Sequence, residues 1–258
     1  MQSIFSKAEE IKKGQSSAAL CIVIETRGST PRKEGSKMIV FPDGSVYGSI
    51  GGGSVEKDVA VKAVELISAG KPAKFSFQLE DDLGMHCGGF MEVYIEPINP
   101  LQKLYIFGGG HIGKAVVKFA RDFDFSISVF DPREDIFSDP VFDVCNCIRK
   151  DYFQAIEEAV FDENTYIVIV TPKHIYDEEI LVKVARKPHA YLGMLGSRRK
   201  VEMAEKRFLD ENLLTAEEIK KIDMPIGIPF RVQTPQEIAV SILARLIDVR
   251  NSVMNNNS

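Results

Sequence analysis

The chain has 258 residues, of which 45% are hydrophobic, so it can build one large globular domain or two ordinary ones. Its formal net charge is -5, which argues against a nucleic-acid partner, because binding to a phosphate backbone needs clustered Lys and Arg. No apolar run reaches the roughly 20 residues of a membrane span, so we expect a cytoplasmic protein without a membrane partner.

The N-terminal part mixes helical and strand patterns. Helical spacing of apolar residues predicts helices over residues 4–11 and 55–67, with Gly14 and Gly70 placed to end them. Apolar and β-branched runs predict strands over residues 18–25, 37–41, 74–79 and 90–95, and we expect Pro97 and Pro100 to stop regular structure. The pattern is typical of a small α+β domain.

Beyond Pro100 short apolar strands alternate with helical patterns, which is typical of a parallel sheet. The strands fall at residues 104–107, 126–130, 165–170 and 190–195, and the helices at 112–123, 152–160, 177–186, 200–212 and 236–249. We therefore predict an α/β fold with a Rossmann-type doubly wound parallel sheet in the C-terminal part.

A glycine turn joins the first of these strands to its helix. Gly108, Gly110 and Gly113 have the G-x-G-x-x-G spacing that allows a tight turn, close approach of a diphosphate and close helix packing. The free N–H groups of a helix N-terminus attract anionic oxygens. Asp131 ends the next predicted strand, where an acid accepts a ribose hydroxyl. A turn kept only for packing is the alternative.

Two side chains beside this turn are ambiguous. His111 can touch a ligand phosphate or simply face solvent at the start of the helix. Arg133 can contact a phosphate or be solvated.

A second glycine loop precedes the helix near residue 55. Gly51, Gly52 and Gly53 offer backbone N–H groups for a phosphate or pterin-type ligand, with Ser54 and Glu56 as side-chain contacts. Alternatively, Ser54 is an N-cap and Glu56 a first-turn acid that complements the helix dipole.

Four cysteines are too few for a disulfide framework in a chain of this length. Cys87 lies in a Cys-Gly-Gly turn and is the candidate for soft-ligand chemistry, with a buried hydrophobe as the alternative. Cys145 and Cys147 lack the second ligand pair of a zinc site, and alternation places both on one face of a short strand, so we interpret them as structural.

Several motifs together resemble the XdhC/CoxI family of xanthine dehydrogenase accessory factors. They are Gly28-Ser29-Thr30-Pro31-Arg32, the Gly48 to Glu56 loop, Cys87-Gly88-Gly89, the Gly108 turn and the Tyr191 to Lys200 run. The resemblance covers nearly the whole chain and divides it into an N-terminal domain of this family (residues 1–97) and a Rossmann-type domain (residues 101–251).

The resemblance implies a chaperone that binds molybdenum cofactor, as molybdopterin or its cytidine dinucleotide form, promotes its sulfuration and inserts it into a xanthine dehydrogenase-type hydroxylase. It places the Gly51 loop and Cys87, as a metal ligand, at the molybdenum end. It also adds Thr171, His174, Gly196, Ser197 and Arg198 as cofactor-binding residues at strand ends. Helix capping by Thr171 and a surface ion pair at Arg198 are the alternatives.

Further expectations are a homodimer and a cysteine desulfurase partner. The run 227–231 departs from the family pattern, since it lacks an acid and a second glycine. Two other functions stay open. An NAD(P)-dependent oxidoreductase needs an acid or base, for which the sequence offers only His174 and His86. A non-catalytic docking scaffold needs no ligand at all.

Overall fold

The computed structural model describes residues 2–14, 16–79 and 89–256 and divides the chain into two compact units, Met1–Leu101 and Gln102–Ser258. The first unit contains α1 (Ile4–Lys13), β1 (Ala18–Arg27), β2 (Lys37–Val40), β3 (Val46–Gly48), α2 (Gly53–Ala69), β4 (Ala73–Gln78) and β5 (Phe90–Ile98). The second contains β6 (Gln102–Phe107), α3 (His111–Ala120), β7 (Phe125–Phe130), β8 (Asn146–Ile148), α4 (Tyr152–Glu158), β9 (Thr165–Ile169), α5 (His174–Val184), β10 (Tyr191–Met194), α6 (Arg198–Asp210), α7 (Ala216–Ile219) and α8 (Pro235–Asn256).

The first unit is an antiparallel five-stranded sheet in the order β3-β2-β1-β5-β4. Alternation along β1 and β2 sends buried side chains to both faces, as the period of two in a strand requires. α2 packs Val55, Val59 and Ala63 on one face, and α1 packs Ile11 on the other. This arrangement confirms the smaller α+β domain predicted from the sequence.

The predicted end of β5 is wrong. The strand continues through Pro97, which pairs with Ala19 of β1. β4 pairs with β5 only as far as Ile95, so the last residues of β5 have one neighbouring strand. Proline is tolerated at such an edge position, because no ladder hydrogen bond is lost on the open side.

The second unit is a parallel sheet in the order β10-β9-β6-β7-β8, which confirms the doubly wound fold. Its strands are buried on both faces, as expected of a parallel sheet covered by helices. One core lies between the sheet and α3 and α8, and the other between the sheet and α4, α5 and α6. The strand order reverses between β6 and β9, where ligands bind in open α/β sheets.

Among the helices of this unit, α5 starts earlier than predicted and α7 was not predicted. α5 begins at His174, three residues before the predicted start, without a side-chain cap from Lys173. A short helix, α7, is added by a capping box in which Thr215 and Glu218 bond each other's backbone N–H groups.

Candidate nucleotide site and glycine loops

The glycine turn after β6 brings backbone segments together more closely than any side chain would allow. Gly108 has a φ of +109°, and a Cβ there would lie 2.5 Å from the carbonyl oxygen of Val170. A Cβ on Gly113 would lie 1.9 Å from the carbonyl oxygen of Gly108. The first glycine thus packs the turn against the end of β9, and the last packs α3 against the turn.

The middle glycine differs, because a Cβ at Gly110 would meet open space. The one described atom within 4 Å of that position is a guanidinium nitrogen of Arg133, at 3.8 Å. Gly110 is also the N-cap of α3, and no described side chain caps this helix. The first N–H groups of α3 therefore face a space that a diphosphate would fill, beside a cation.

Asp131 is fully buried at the end of β7, and both its carboxylate oxygens are occupied. Oδ2 accepts a hydrogen bond from the backbone N–H of Gly109 (2.8 Å), and Arg133 donates to both oxygens (2.9 and 2.6 Å). Burial alone would raise the pKa of Asp131, but these hydrogen bonds outweigh it and lower the pKa below its ordinary value. A ribose hydroxyl could bind Asp131 only by displacing Arg133, which weakens the role predicted for this acid.

A pocket of about 410 Å³ opens at the same end of the sheet, beyond β9 and β10. Four predicted cofactor-binding residues line it: Thr171, His174, Gly196 and Ser197. Thr171 also lies against Gly108, since a Cβ on that glycine would be 2.9 Å from the Thr171 Cα. The pocket and the glycine turn are therefore neighbours.

Thr171 and His174 are held by a buried carboxylate. Asp177 accepts hydrogen bonds from the Thr171 hydroxyl (2.7 Å) and backbone N–H (2.8 Å), and its other oxygen lies 3.4 Å from Nδ1 of His174. Burial raises the pKa of Asp177 in spite of these partners. Asp177 thus fixes the strand end and orients the imidazole, so the alternative in which Thr171 caps α5 is wrong.

Two buried polar atoms near this carboxylate lack hydrogen-bond partners among the described residues: Nε2 of His174 and the hydroxyl of Tyr152. Nε2 of His174 lies 3.5 Å from Glu178, at ion-pair distance only. Burial, followed by the charge of Asp131, raises the pKa of Tyr152. Unsatisfied buried polar groups are rare in folded proteins and are typical of sites that meet a ligand or water.

Of the residues predicted to bind cofactor near the start of α6, Ser197 lines the pocket and Arg198 does not. Ser197 is the N-cap of α6 and accepts from the N–H of Lys200, whose side chain also lines the pocket. Arg198 is exposed, lies outside the pocket lining, and makes no ion pair with any residue that the structure describes. The surface ion pair considered for Arg198 is therefore absent from the described residues. The cation that lines the pocket here is Lys200.

The pocket lining also includes residues that were not predicted as site residues, namely Leu195, Pro225, Ile226, Val232, Ile238 and Ser241. Gly227, in the run that departs from the family pattern, packs against α8, since a Cβ there would lie 2.3 Å from the Ser241 hydroxyl. The run lies between Ile226 and Val232, which line the pocket, and its glycine packs closely on α8.

The Gly51 loop lies in the other unit. Gly51, Gly52 and Gly53 all have positive φ angles (144°, 77° and 69°). A Cβ on Gly51 would lie 2.5 Å from Pro31, and one on Gly89 would lie 2.0 Å from the carbonyl oxygen of Ser29. The Gly28 to Arg32 loop is therefore packed between the Gly51 loop and the end of the Cys-Gly-Gly motif.

Of the alternative roles considered for Ser54 and Glu56, only the one for Glu56 is observed. The N-cap of α2 is Gly52, so the N-cap role considered for Ser54 is wrong, and its side chain is exposed. Glu56 accepts a hydrogen bond from the N–H of Ile50 (3.0 Å) as a first-turn acid and thereby ties the loop to the helix. Cys87 and His86 lie outside the described residues, and no group of three metal-ligating side chains occurs within the described ones.

The predicted residues of the second unit thus fall into two neighbouring groups. Gly108, Gly110, His111, Gly113 and Asp131 surround the glycine turn, with His111 exposed, and the Thr171 to Ser197 set lines the adjoining pocket. The Gly51 loop belongs to the first unit. Within the described ranges, no helix is both long and apolar enough to cross a membrane.

A doubly wound sheet with a glycine turn at its switch point defines a domain of the Rossmann class. Residues 104–246 match the profile described as the XdhC Rossmann domain, and residues 12–78 match that of the XdhC and CoxI family. The first match covers more than half of the chain. The chain belongs to the XdhC/CoxI family.

Three curated relatives extend this comparison. An uncharacterized Escherichia coli K12 protein, YqeB, is 31% identical over 97% of this chain and 47% of its own length. A Bacillus subtilis 168 protein, named as a probable xanthine dehydrogenase component, is 26% identical over 62% of this chain and 47% of its own length. The molybdenum cofactor insertion chaperone PaoD of E. coli K12 is 23% identical over 90% of this chain and 83% of its own length. The chain thus spans about half the length of the first two relatives.

One solved structure shares the fold. A crystal structure described as a xanthine dehydrogenase from Bacillus halodurans superposes with a TM-score of 0.54 at 22% identity, covering 97% of this chain and 96% of that one. At this identity the likeness bears on the fold alone.

Proposed function

We propose that this protein binds a nucleotide form of the molybdenum cofactor and assists its insertion into a molybdenum hydroxylase of the xanthine dehydrogenase type. The observation that carries the proposal is the Gly108 turn, where an uncapped helix N-terminus and Arg133 face open space above Gly110. Family membership and the name of PaoD, a molybdenum cofactor insertion chaperone, support this choice of ligand. The name of the B. subtilis relative supports the choice of client.

The residues fit a diphosphate-containing ligand. The N–H groups of α3 would bind the diphosphate, and Arg133 would balance its charge without leaving Asp131. Thr171, His174 and Ser197 would contact the part of the ligand that extends into the adjoining pocket. A pterin dinucleotide has the required diphosphate, and its cytidine form is the species that we propose.

The first unit carries two further candidates for cofactor contacts, the Gly51 loop and Cys87. We propose that the Gly51 loop binds the pterin side through its backbone N–H groups and that Cys87 contacts molybdenum or its exchangeable sulfur as a soft ligand. Molybdenum would supply the oxidative chemistry only after transfer to the client. Sulfuration of the cofactor, a cysteine desulfurase partner and a homodimeric state complete the proposal, and pull-down and light scattering test the last two.

A nicotinamide-dependent oxidoreductase is the second candidate, because Asp177 orients His174 beside the turn as an acid–base pair would require. The hydrogen bonds that Asp131 already accepts argue against a nicotinamide-dependent oxidoreductase. In dehydrogenases this acid binds the adenosine ribose, whereas here Arg133 and Gly109 occupy both carboxylate oxygens.

Mass spectrometry of the protein purified from molybdenum-replete cells separates the candidates. We expect a pterin nucleotide to be released on denaturation of the native chain and to be missing from the Gly110→Asp variant purified in parallel. A nicotinamide nucleotide would contradict the proposal and favour the oxidoreductase. The absence of any nucleotide, with an equally folded protein, would favour the scaffold.

A further inference from the structure

A pair of thiols lies at the edge of the parallel sheet, away from the glycine turn of the proposed function. Cys145 precedes β8, the edge strand, and Cys147 lies within it. Their Sγ atoms are 3.9 Å apart, and both donate weak hydrogen bonds to the carbonyl oxygen of Phe142, at 3.2 and 3.6 Å. Both cysteines are free, so the pair is a preformed dithiol.

The two thiols differ in environment. Cys145 is partly buried, and burial, followed by the charge of Cys147, raises the pKa of its thiol to about 12. Cys147 is exposed to solvent. Because the thiolate is the nucleophile in thiol–disulfide exchange, the exposed thiol attacks first and the buried one resolves.

Two cations, Arg149 and Lys150, follow Cys147 in the chain. Lys150 is engaged by Glu158. Arg149 pairs with no carboxylate in the part of the chain that the structure describes. Arg149, which is exposed and two residues from Cys147, therefore offers a cation to a carboxylate-bearing molecule whose sulfur reaches Cys147.

We propose that Cys145 and Cys147 form a redox-active dithiol that a carboxylate-bearing low-molecular-weight disulfide oxidises reversibly. The Cys147 thiolate attacks one sulfur of that disulfide and releases the first thiol, which leaves a mixed disulfide. Cys145 then loses its proton and attacks Cys147 Sγ, which expels the second thiol. Two electrons pass from the protein to the disulfide, whose two halves leave as thiols.

The geometry favours closure and also reversal. Closing the disulfide brings the sulfur atoms from 3.9 Å to the bonded distance of about 2 Å, across a single intervening residue. An exposed disulfide in so small a ring is easily reduced, as in labile and regulatory disulfides.

Peptide mapping of the full chain tests the proposal, with glutathione disulfide as the probe. Trypsin cuts after Arg133 and Arg149, so both thiols fall in one peptide, apart from Cys21 and Cys87. In the native chain we expect this peptide to become lighter by two hydrogen atoms and to recover fully with dithiothreitol. Cys145→Ser should stop at the glutathione adduct on Cys147, and Cys147→Ser should react at least about tenfold more slowly.

Arg149→Gln tests whether the positive charge of Arg149 attracts the reagent. It should slow oxidation by glutathione disulfide several-fold but leave oxidation by the uncharged hydroxyethyl disulfide unchanged. Equal slowing with both reagents, equal rates for the two cysteine variants, or an adduct on the native chain that never closes would each overturn the proposal. None of these readouts depends on nucleotide binding, so the proposed function stands or falls separately.

Discussion

Gly110→Asp tests whether the glycine turn binds a diphosphate, because this position separates binding from folding. Its φ of -66° and ψ of -167° suit any residue, and a Cβ there meets only Arg133, at 3.8 Å. Asp is also a preferred N-cap that complements the helix dipole, so we expect the variant to unfold no more easily, with a gain of about 0.3–1 kcal/mol.

Binding should change in the opposite direction. A carboxylate about 4 Å from a phosphate repels it by roughly 4 kcal/mol at the dielectric typical of a protein surface. Arg133 offsets part of this repulsion, so we expect a loss of about 2–3 kcal/mol, or roughly 30- to 150-fold in Kd. Isothermal titration with a cytidine or pterin dinucleotide measures this loss, and urea unfolding measures stability.

Two controls divide the effect between charge and shape. Gly110→Asn has the same size without the charge and should lose less affinity than Gly110→Asp, and Gly110→Ala should lose only a few-fold. Native affinity in a folded Gly110→Asp variant would refute the assignment and leave the turn as a packing feature.

Three further predictions each concern a single residue. Gly113→Ala should destabilise the chain by about 1–3 kcal/mol in urea unfolding, because its Cβ would lie 1.9 Å from the Gly108 carbonyl oxygen, and an unchanged midpoint would contradict this geometry. Burial raises the pKa of Asp177, so its proton stabilises the folded state at acid pH, and that stability is lost as pH rises through the folded-state pKa. Asp177→Asn should therefore gain stability relative to the native chain as pH rises above about 4, the ordinary pKa of an aspartate, and a constant difference would argue against the raised pKa. Cys87→Ser should keep the circular-dichroism spectrum but retain less molybdenum by elemental analysis, and unchanged metal content would favour the interpretation of Cys87 as a buried hydrophobe.

The parts of the fold that depend on local pattern were predictable from the sequence. The Gly108 turn follows an apolar strand and opens a helix, and its spacing alone indicates the close contacts that the structure contains. The two-domain pattern and the parallel sheet follow from the change in hydrophobic period. Gly14 and Gly70 end α1 and α2 as predicted.

The predictions from sequence failed where the structure depends on contacts between distant segments, or where the sequence lacks a signal for the start of a helix. β5 continues through Pro97 because β1 pairs with it, which the proline itself does not indicate. α5 starts at His174 without a capping side chain, so the sequence held no start signal there. The pocket wall around Ile226 and Ser241 comes from residues far from β9 and β10 in the chain, and no local pattern places them beside Thr171.

The hydrogen bonds from Arg133 to Asp131 could not be predicted from the sequence either. Both side chains were visible in the sequence, and their spacing of two residues left the arginine either solvated or free to contact phosphate. Complete burial of Asp131 at the end of β7 decides the question, since a buried carboxylate needs a partner.

The most direct test of the central claim is reconstitution of a molybdenum hydroxylase apoprotein with cofactor, in the presence and absence of this protein. We expect that the native chain raises hydroxylase activity, that Gly110→Asp does so far less, and that neither oxidises NADH or NADPH over common carbonyl substrates. Steady nicotinamide turnover without any gain in hydroxylase activity would contradict the claim.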